Sequence, residues 1–390
     1  MARRAGRAAL REPVGEVGGR KRLLSRISRR ALPSAVNALQ PQGTSQRTSA
    51  RPVTVLVSSA GRRVELVRGF RRAIASLGVG GLVVASDASW YSSAFHEADE
   101  GIIVPLLDAP DFVPALLEAC EKWEVDLLVP TIDTEMATLA EIRQQFTDIG
   151  TTVLMPGSDV VRIAADKQLT HDWLVANGFP TVRQSIPAAV LADPAVWSFP
   201  LVTKPRFGSA GVGVAMPADA GELAAELGRP GRRETVVQSL ARGHEYTIDV
   251  LADRSGRAVC AVPRRRIEVR AGEVSKGVTV RSHRLQDLAG EICSALPGAF
   301  GAINIQVFVD GDPDDPTAEM AVIEINARYG GGFPLALEAG ADFPRWQLED
   351  HLGLPSTAAA DAWRDGLVML RYDAAVFVDE AQNPVVRGTS

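Results

Sequence analysis

The chain has 390 residues, 46% hydrophobic and 23% charged, which excludes a fibrous or low-complexity protein and implies two or three domains with cores of their own. Its net charge of −5 is uneven: residues 1–51 hold 12 of the 42 basic residues and only Glu12 and Glu16 as acids, leaving 30 basic and 45 acidic residues beyond, a net of −15. So acidic a body repels phosphate backbones and argues against a nucleic-acid partner. No apolar run is long enough to cross a bilayer, which argues against a membrane role.

Residues 1–51, rich in Arg, Ala, Gly and Ser and without an apolar period, read as a disordered basic extension. They lack the apolar core of a signal peptide, though their composition is compatible with a transit peptide. Cys120, Cys260 and Cys293 have no paired spacing, so neither disulfides nor zinc are expected, and a cytoplasmic setting is.

From Val53 to Met155, short apolar runs alternate with helical patterns: Val53–Ser59, a helix through Leu77, Leu82–Asp87, Ile102–Pro105, a helix over Asp111–Trp123, Asp126–Pro130, a helix over Asp133–Phe146, and Val153–Met155. The pattern predicts an α/β domain over 52–157, a doubly wound parallel sheet. Its first turn, Ser58-Ser59-Ala60-Gly61, with Asp87 ending the second strand, is compatible with a nicotinamide dinucleotide. The turn lacks the full G-x-G-x-x-G set, however, and continues into Arg62 and Arg63. Asp87, Asp133 and Glu135 stand at strand ends, where open α/β sheets bind ligands, or equally cap helices.

A helix is predicted from Asp166, with Lys167 near its start and Gly178–Pro180 ending it. Next, Phe199–Val214 reads FPLVTKPRFGSAGVGV, an apolar strand ending in Lys204 and then a glycine loop over Phe207–Gly213. The lysine precedes the glycines and a strand, Val212–Met216, is expected after them, so this is not a Walker A loop. A flap between strands fits better, with Gly208, Gly211 and Gly213 allowing positive φ and close approach to phosphates.

Two β-runs follow, one reaching Gln238 and one starting after His244; the linker Gln238–Ala241 suits an adenine, and Glu245 suits ribose hydroxyls. In Ala302–Val309 and Ala321–Arg328, residues two apart share a face: Asn304 with Gln306, and Glu324 with Asn326. A carboxylate inside so apolar a run needs a partner, and a divalent cation supplies one. Between these segments, Arg264, Arg266 and Arg270 are expected to line one strand face with Lys276 in the next hairpin, a stripe for a substrate carboxylate or acyl-phosphate. Arg328–Pro334 (RYGGGFP) adds glycines beside the metal strand, and Leu367–Asp379 reads as a strand pair.

Taken in order, Asp166-Lys167, Lys204 with its glycine loop, Gln238, Glu245, Gln306 and Glu324-x-Asn326-x-Arg328 resemble the ATP-grasp superfamily. Within it the chain looks most like stand-alone proteins similar to the carbamoyl-phosphate synthase large subunit and to the pyrrolysine-pathway ligase. The resemblance runs from about Val53 to Gly353. It implies a two-lobed ATP-grasp domain over 158–353; beyond the resemblance, residues 354–390 read as a C-terminal extension packed on the body. It implies ATP with two Mg2+ ions, Mn2+ being an acceptable substitute, held by Gln306, Glu324 and Asn326. Lys167 and Lys204 would contact phosphates under the flap that includes Gly208, Ser209, Gly211 and Gly213, Gln238, Ser239 and Leu240 would form the adenine hinge, and Glu245 would take the ribose. Arg328, Arg266 and Lys276 would act on the acyl-phosphate. The implied activity is an ADP-forming carboxylate–amine or carboxylate–thiol ligase. Its partners would be a small-molecule carboxylate and an amine, an amino acid or peptide among them, and its assembly compatible with a homodimer. The alternatives are a nucleotide-binding regulator without ligase activity and a nicotinamide-dependent oxidoreductase.

Overall fold

The computed structural model describes residues 51–379, save Ser209, Ala210, Arg232 and Ala271. The expected basic extension, apart from Arg51, lies outside the described residues, as does the flap residue Ser209.

The first part runs β1 (Val53–Ser58), α1 (Val64–Leu77), β2 (Gly81–Asp87), α2 (Ser93–Glu97), β3 (Glu100–Ile103), α3 (Phe112–Lys122), β4 (Leu127–Pro130), α4 (Asp133–Glu141), α5 (Arg143–Asp148) and β5 (Thr152–Val153). Its five strands are parallel in the order β3-β2-β1-β4-β5, so the winding reverses beside β1. The continuous apolar run of β1 is buried because helices cover both faces. The single helix expected over Asp133–Phe146 is instead two, meeting at Ile142, and β3 lies two residues earlier than its apolar run suggests. Helix α1 buries Leu66, Val67, Phe70, Ala73 and Ile74 on one stripe and ends at Gly78 in the left-handed conformation.

A connector of α6 (Ser158–Ala165) and α7 (Lys167–Ala176) leads to a small lobe: β6 (Gln184–Ser185), α8 (Pro187–Ala192), β7 (Leu201–Pro205), α9 (Ala220–Leu227) and β8 (Thr235–Ser239). Its antiparallel sheet has the order β6-β8-β7. Val190, Trp197, Leu201, Leu223 and Val237 form a separate apolar core, so this lobe is a packing unit in its own right. The strand expected at Val212–Met216 is reduced to one bridge, Ala215 to Thr203, because Gly211 and Gly213 at φ 71° and 77° leave the extended region.

The rest is β9 (His244–Ala252), β10 (Ala258–Arg270), β11 (Glu273–Thr279), α10 (His283–Ala295), β12 (Gly301–Asp310), β13 (Glu319–Asn326), α11 (Phe333–Ala339), α12 (Phe343–His351) and β14 (Val368–Leu370). The six strands form an antiparallel sheet, β13-β12-β9-β10-β11-β14. Ile303, Ile305, Val307 and Val309 alternate onto its buried face, in the same core as α10 and α6, which leaves Asn304 and Gln306 on the other face. Where a strand pair was expected near the C-terminus, only β14 forms a strand among the described residues, pairing with β11. The larger sheet and the parallel sheet share apolar cores, so they make one continuous body.

Candidate functional site

Register turns the polar face of the large sheet into an ordered array. Asn326 stands opposite Asn304 and Asn304 opposite Asp249; Glu324 stands opposite Gln306, Gln306 opposite Thr247, and Thr247 opposite Arg264. Residues far apart in sequence thus become neighbours. Two adjoining cavities open over this face, one of about 350 Å³ beneath the small lobe and one of about 170 Å³ toward the parallel sheet. Arg266, Gly272, Gln306 and Glu324 line both.

The larger cavity gathers most of the expected nucleotide residues: Lys167, Lys204, Gly208, Gly211, Gln238, Ser239, Leu240 and Glu245. Val182, Val202, Phe308 and Ile323 give it apolar walls of the kind an aromatic base occupies. Lys204 is the penultimate residue of β7 and is buried, its Nζ 3.5 Å from the Ile323 carbonyl oxygen. Burial lowers its ammonium to about 8, with Lys167 adding to the fall and Glu324 opposing it. Lys167 Nζ donates to the Gly208 carbonyl at 2.6 Å and so tethers the glycine loop. The helix start that carries Lys167 is fixed by Asp166, which caps α7 through the Gln168 and Leu169 amides and accepts Arg206 Nε and Nη2 at 2.7 and 2.6 Å. Burial alone would raise the Asp166 carboxyl; the Arg206 and backbone hydrogen bonds outweigh it and hold the group below its usual range.

Within the linker, the Gln238 side chain is committed to Gln184 Oε1 at 2.6 Å, and the Ser239 amide to the Arg183 carbonyl at 2.9 Å. The backbone groups of Leu240 and Ala241 carry no such bond among the described residues. Gly213 does not line the cavity; it lies where a Cβ would come within 2.9 Å of the Pro205 ring, so it lets the loop return over β7.

Glu324 is half-buried, and its carboxylate takes part in no hydrogen bond or ion pair among the described residues. Beside it are the amide groups of Gln306 and Asn326, the latter buried, with its Oδ1 3.4 Å from Arg328 Nη2. Among the described residues no three His, Cys, Asp or Glu side chains converge on a metal position. One carboxylate with neutral oxygens instead suits Mg2+, which takes few protein ligands when phosphates complete its shell.

The arginine stripe is shorter than expected. Arg266 is paired with Glu245 and has its Nη1 3.5 Å from Gln306 Oε1; burial raises the Glu245 carboxyl, Arg266 opposes this and Glu324 reinforces it. Arg264 is buried and grips Asp249 through Nε and Nη2. Register shifts on both sides of Glu268 then break the two-residue alternation, and Arg270 pairs with Asp373 on the surface. For the same reason Lys276 is not a site residue by position: it lines neither cavity and its Nζ pairs with Glu268 at 2.6 Å on the exposed side. Arg328 does line the smaller cavity, bound to Asp133 of α4 and to the Tyr329 carbonyl.

Sequence reasoning missed Asp249 and the cavity role of Arg63, which follows the first strand and reaches the smaller cavity. The three glycines 330–332 were noted without their reason. A Cβ on Gly330 would come within 2.4 Å of Asn304 Nδ2, one on Gly331 within 2.9 Å of Arg63 Nη1, and one on Gly332 within 2.3 Å of Arg264 Nη1. They are needed for close approach.

At the reversal point of the parallel sheet, the groups a dinucleotide would use are already occupied. Glu135 accepts from Ser58 Oγ, Ser59 Oγ and the Thr131 amide at 3.0, 2.8 and 2.7 Å, and Asp87 accepts from the Gly61 amide at 2.8 Å. The nicotinamide alternative therefore loses its phosphate donors.

A small antiparallel lobe closing over the polar face of a larger antiparallel sheet, behind a parallel-sheet domain, defines the ATP-grasp class of fold. Residues 232–374 match the family model described as ATP-grasp in the biosynthetic pathway with Ter operon, and residues 55–154 match that of the PylC-like N-terminal domain. The resemblance read from the sequence thus holds for both segments. Among solved structures, the chain is similar to the biotin carboxylase domain of Hydrogenobacter thermophilus 2-oxoglutarate carboxylase, in complex with MgADP, ADP and bicarbonate, at 19% identity, TM-score 0.63, covering 81% of this chain and 73% of that one. It is similar to Campylobacter jejuni biotin carboxylase in complex with βγ-ATP at 17% identity and TM-score 0.64, covering 81% and 74%. N5-carboxyaminoimidazole synthetase of Staphylococcus aureus matches at 14% identity and TM-score 0.62, covering 80% of each chain. No curated protein matches the chain in sequence. No helix among the described residues is long and apolar enough to cross a membrane.

Proposed function

We propose that the protein is an ADP-forming ATP-grasp ligase that joins a small-molecule carboxylate, such as that of an amino acid or peptide, to an amine. The observation that carries this reading is the half-buried, unpartnered Glu324 beside the buried Lys204, in a cleft roofed by the glycine loop. An anion-binding cation and a cation-binding carboxylate share one cavity, which is what a metal–triphosphate requires. The division into residues 52–157, 158–353 and 354–390 belongs to the same reading.

Gln306, Glu324 and Asn326 would hold Mg2+, which supplies charge neutralisation between the donor and acceptor oxygens. Lys167 and Lys204 bind phosphate oxygens, Gly208 and Gly211 bring backbone close to them, and the linker at Leu240–Ala241 offers its free backbone to the base. Arg266 faces the junction of the two cavities and Arg328 the smaller one beside Asn326, and both stabilise charge on the transferring group. A substrate carboxylate oxygen attacks the γ-phosphorus, and ADP departs with the electrons of the broken P–O bond. The amine nitrogen then bonds to the acyl carbon, phosphate leaves with the C–O electrons, and the amine proton passes to solvent. No protein nucleophile is needed; the three cysteines are buried thiols, pushed up to about 12 by burial.

The test is a product assay: MgATP with paired amino acids, nucleotides resolved by chromatography. ADP and phosphate should accumulate and fall by about 100-fold or more in Glu324→Ala, since even outer-shell changes at metal sites cost about 10–100-fold. AMP with pyrophosphate would remove the acyl-phosphate route.

A further inference from the structure

Resting on that reading, we infer that the carboxylate substrate carries a second anionic group, held at the far end of the smaller cavity by Arg63 and Arg264. The cavity has two ends. One, at Glu324 and Gln306, adjoins the nucleotide cavity; the other lies against Gly330–Gly332 and the turn that follows β1.

At the far end, hydrogen-bond donors outnumber their uses. Arg264 is 1% exposed, yet its Nη1 is buried and has no partner, while Nε and Nη2 are spent on Asp249. The Arg63 guanidinium makes no hydrogen bond among the described residues and only approaches Glu273 at 3.6 Å. An unspent buried donor costs stability unless something accepts from it. Both guanidiniums line the cavity, so the acceptor would come from inside it.

Charge agrees. Arg264 with Asp249 and Arg328 with Asp133 cancel in pairs. Glu273, however, has three guanidiniums around it: Arg62 at 3.9, Arg63 at 3.6 and Arg371 at 3.0 Å. Of these three only Arg63 lines the cavity; Arg62 and Arg371 offset Glu273 from outside the lining, so the charge of Arg63 is left uncancelled toward the cavity. Burial lowers the Arg63 pKa and Glu273 opposes the fall, but Arg328 and Arg371 push it further down, as expected where an anion is wanting. The glycines matter here as well, because a Cβ on Gly331 or Gly332 would occupy the space beside these two guanidiniums. At about 170 Å³ the cavity suits a small molecule, and an acidic amino acid meets both requirements.

The experiment compares ligands that differ only in the second charge: glutamate with glutamine, aspartate with asparagine, glutarate with glutaramate, and phosphoserine with serine. Binding to the full-length protein loaded with Mg2+ and a non-hydrolysable ATP analogue is read by calorimetry and thermal shift. At least one acid should bind about 10-fold or more tightly than its neutral counterpart, the gain of one charge-assisted contact. Arg63→Gln, and separately Arg371→Gln, should shrink that ratio toward one while the nucleotide analogue still binds. The phosphoserine and aspartate arms separate a phosphate from a carboxylate as the second group. Equal binding of acids and neutral partners, binding of neither, or an undiminished ratio in Arg63→Gln would overturn the inference. Failure of the nucleotide analogue to bind at all would instead refute the ligase reading.

Discussion

Lys204 Nζ lies 3.5 Å from the carbonyl oxygen of Ile323, a contact that spans 119 positions of sequence and stops one residue short of Glu324. It joins the small lobe's β7 to the large sheet's β13. A positive group from one lobe and a negative group from the other therefore meet at the rim of a single cavity, and each prediction below concerns how that meeting is held or used.

Lys204 should titrate far below an ordinary lysine, whose pKa is about 10.4. Burial places it at about 8, so the neutral amine dominates above that pH in the empty protein. Acylation of Lys204 by a small amine-reactive reagent, followed by peptide mass spectrometry without metal or nucleotide, should rise with pH about a midpoint near 8. MgATP should protect the residue. A midpoint at 10 or above would contradict the buried placement.

Asp166 secures the nucleotide lysines from behind. Asp166→Ala removes a helix cap worth about 1 kcal/mol and frees Arg206. Chemical denaturation should show at least that loss, together with weaker MgATP binding, because Lys167 and the loop it tethers lose their fixed position. The sign with pH follows from the depressed carboxyl: its contribution is present above the unfolded value near 4 and vanishes as pH falls through the folded value. Asp166→Ala and Arg206→Ala should be less than additive. Strict additivity would refute the coupling.

Gly332→Ala and Gly330→Ala should separate the two cavities functionally. Each Cβ would meet a site side chain, Arg264 Nη1 at 2.3 Å and Asn304 Nδ2 at 2.4 Å. A stability loss of about 1–3 kcal/mol is expected from such overpacking. Acid-substrate turnover should fall while MgATP affinity stays within a few-fold. Equal loss of both would show that the cavities are not independent.

How much of this could be read beforehand depended on what set each feature. The apolar run Val53–Ser58 and the apolar alternation over Ile303–Val309 declared their strands, and a spacing of two put Glu324 with Asn326 on one face. Lys204 ahead of its glycines was legible for the same local reason. What was not legible rests on register. Arg264 and Asp249 become partners only once β10 pairs with β9, and Arg328 reaches Asp133 across 195 positions. The bulges around Glu268, which turn Arg270 and Lys276 to the surface, leave no mark in the residue pattern. Helices α2, α6, α8, α9 and α12 were overlooked because each is nine residues or fewer, too short for a clear period; α10, at 13 residues, was missed as well.

The bulge also yields a paired test. Lys276→Ala should leave MgATP affinity and turnover unchanged, since its Nζ serves only Glu268 on the surface. Arg266→Ala should impair both, leaving the half-buried Glu245 without its partner, at a cost of about 1–3 kcal/mol in stability. Impairment by Lys276→Ala as severe as that by Arg266→Ala would mean that the hairpin is placed wrongly.

Magnesium linkage tests the central claim most directly. Calorimetry of ATP binding with and without Mg2+ should show that the metal tightens binding by about 10-fold or more in the native protein, and that Glu324→Ala abolishes this gain while metal-free ATP still binds. If Mg2+ leaves ATP affinity unchanged, or tightens it equally in Glu324→Ala, then Glu324 and Lys204 do not embrace one metal–triphosphate and the assignment of the cleft is wrong.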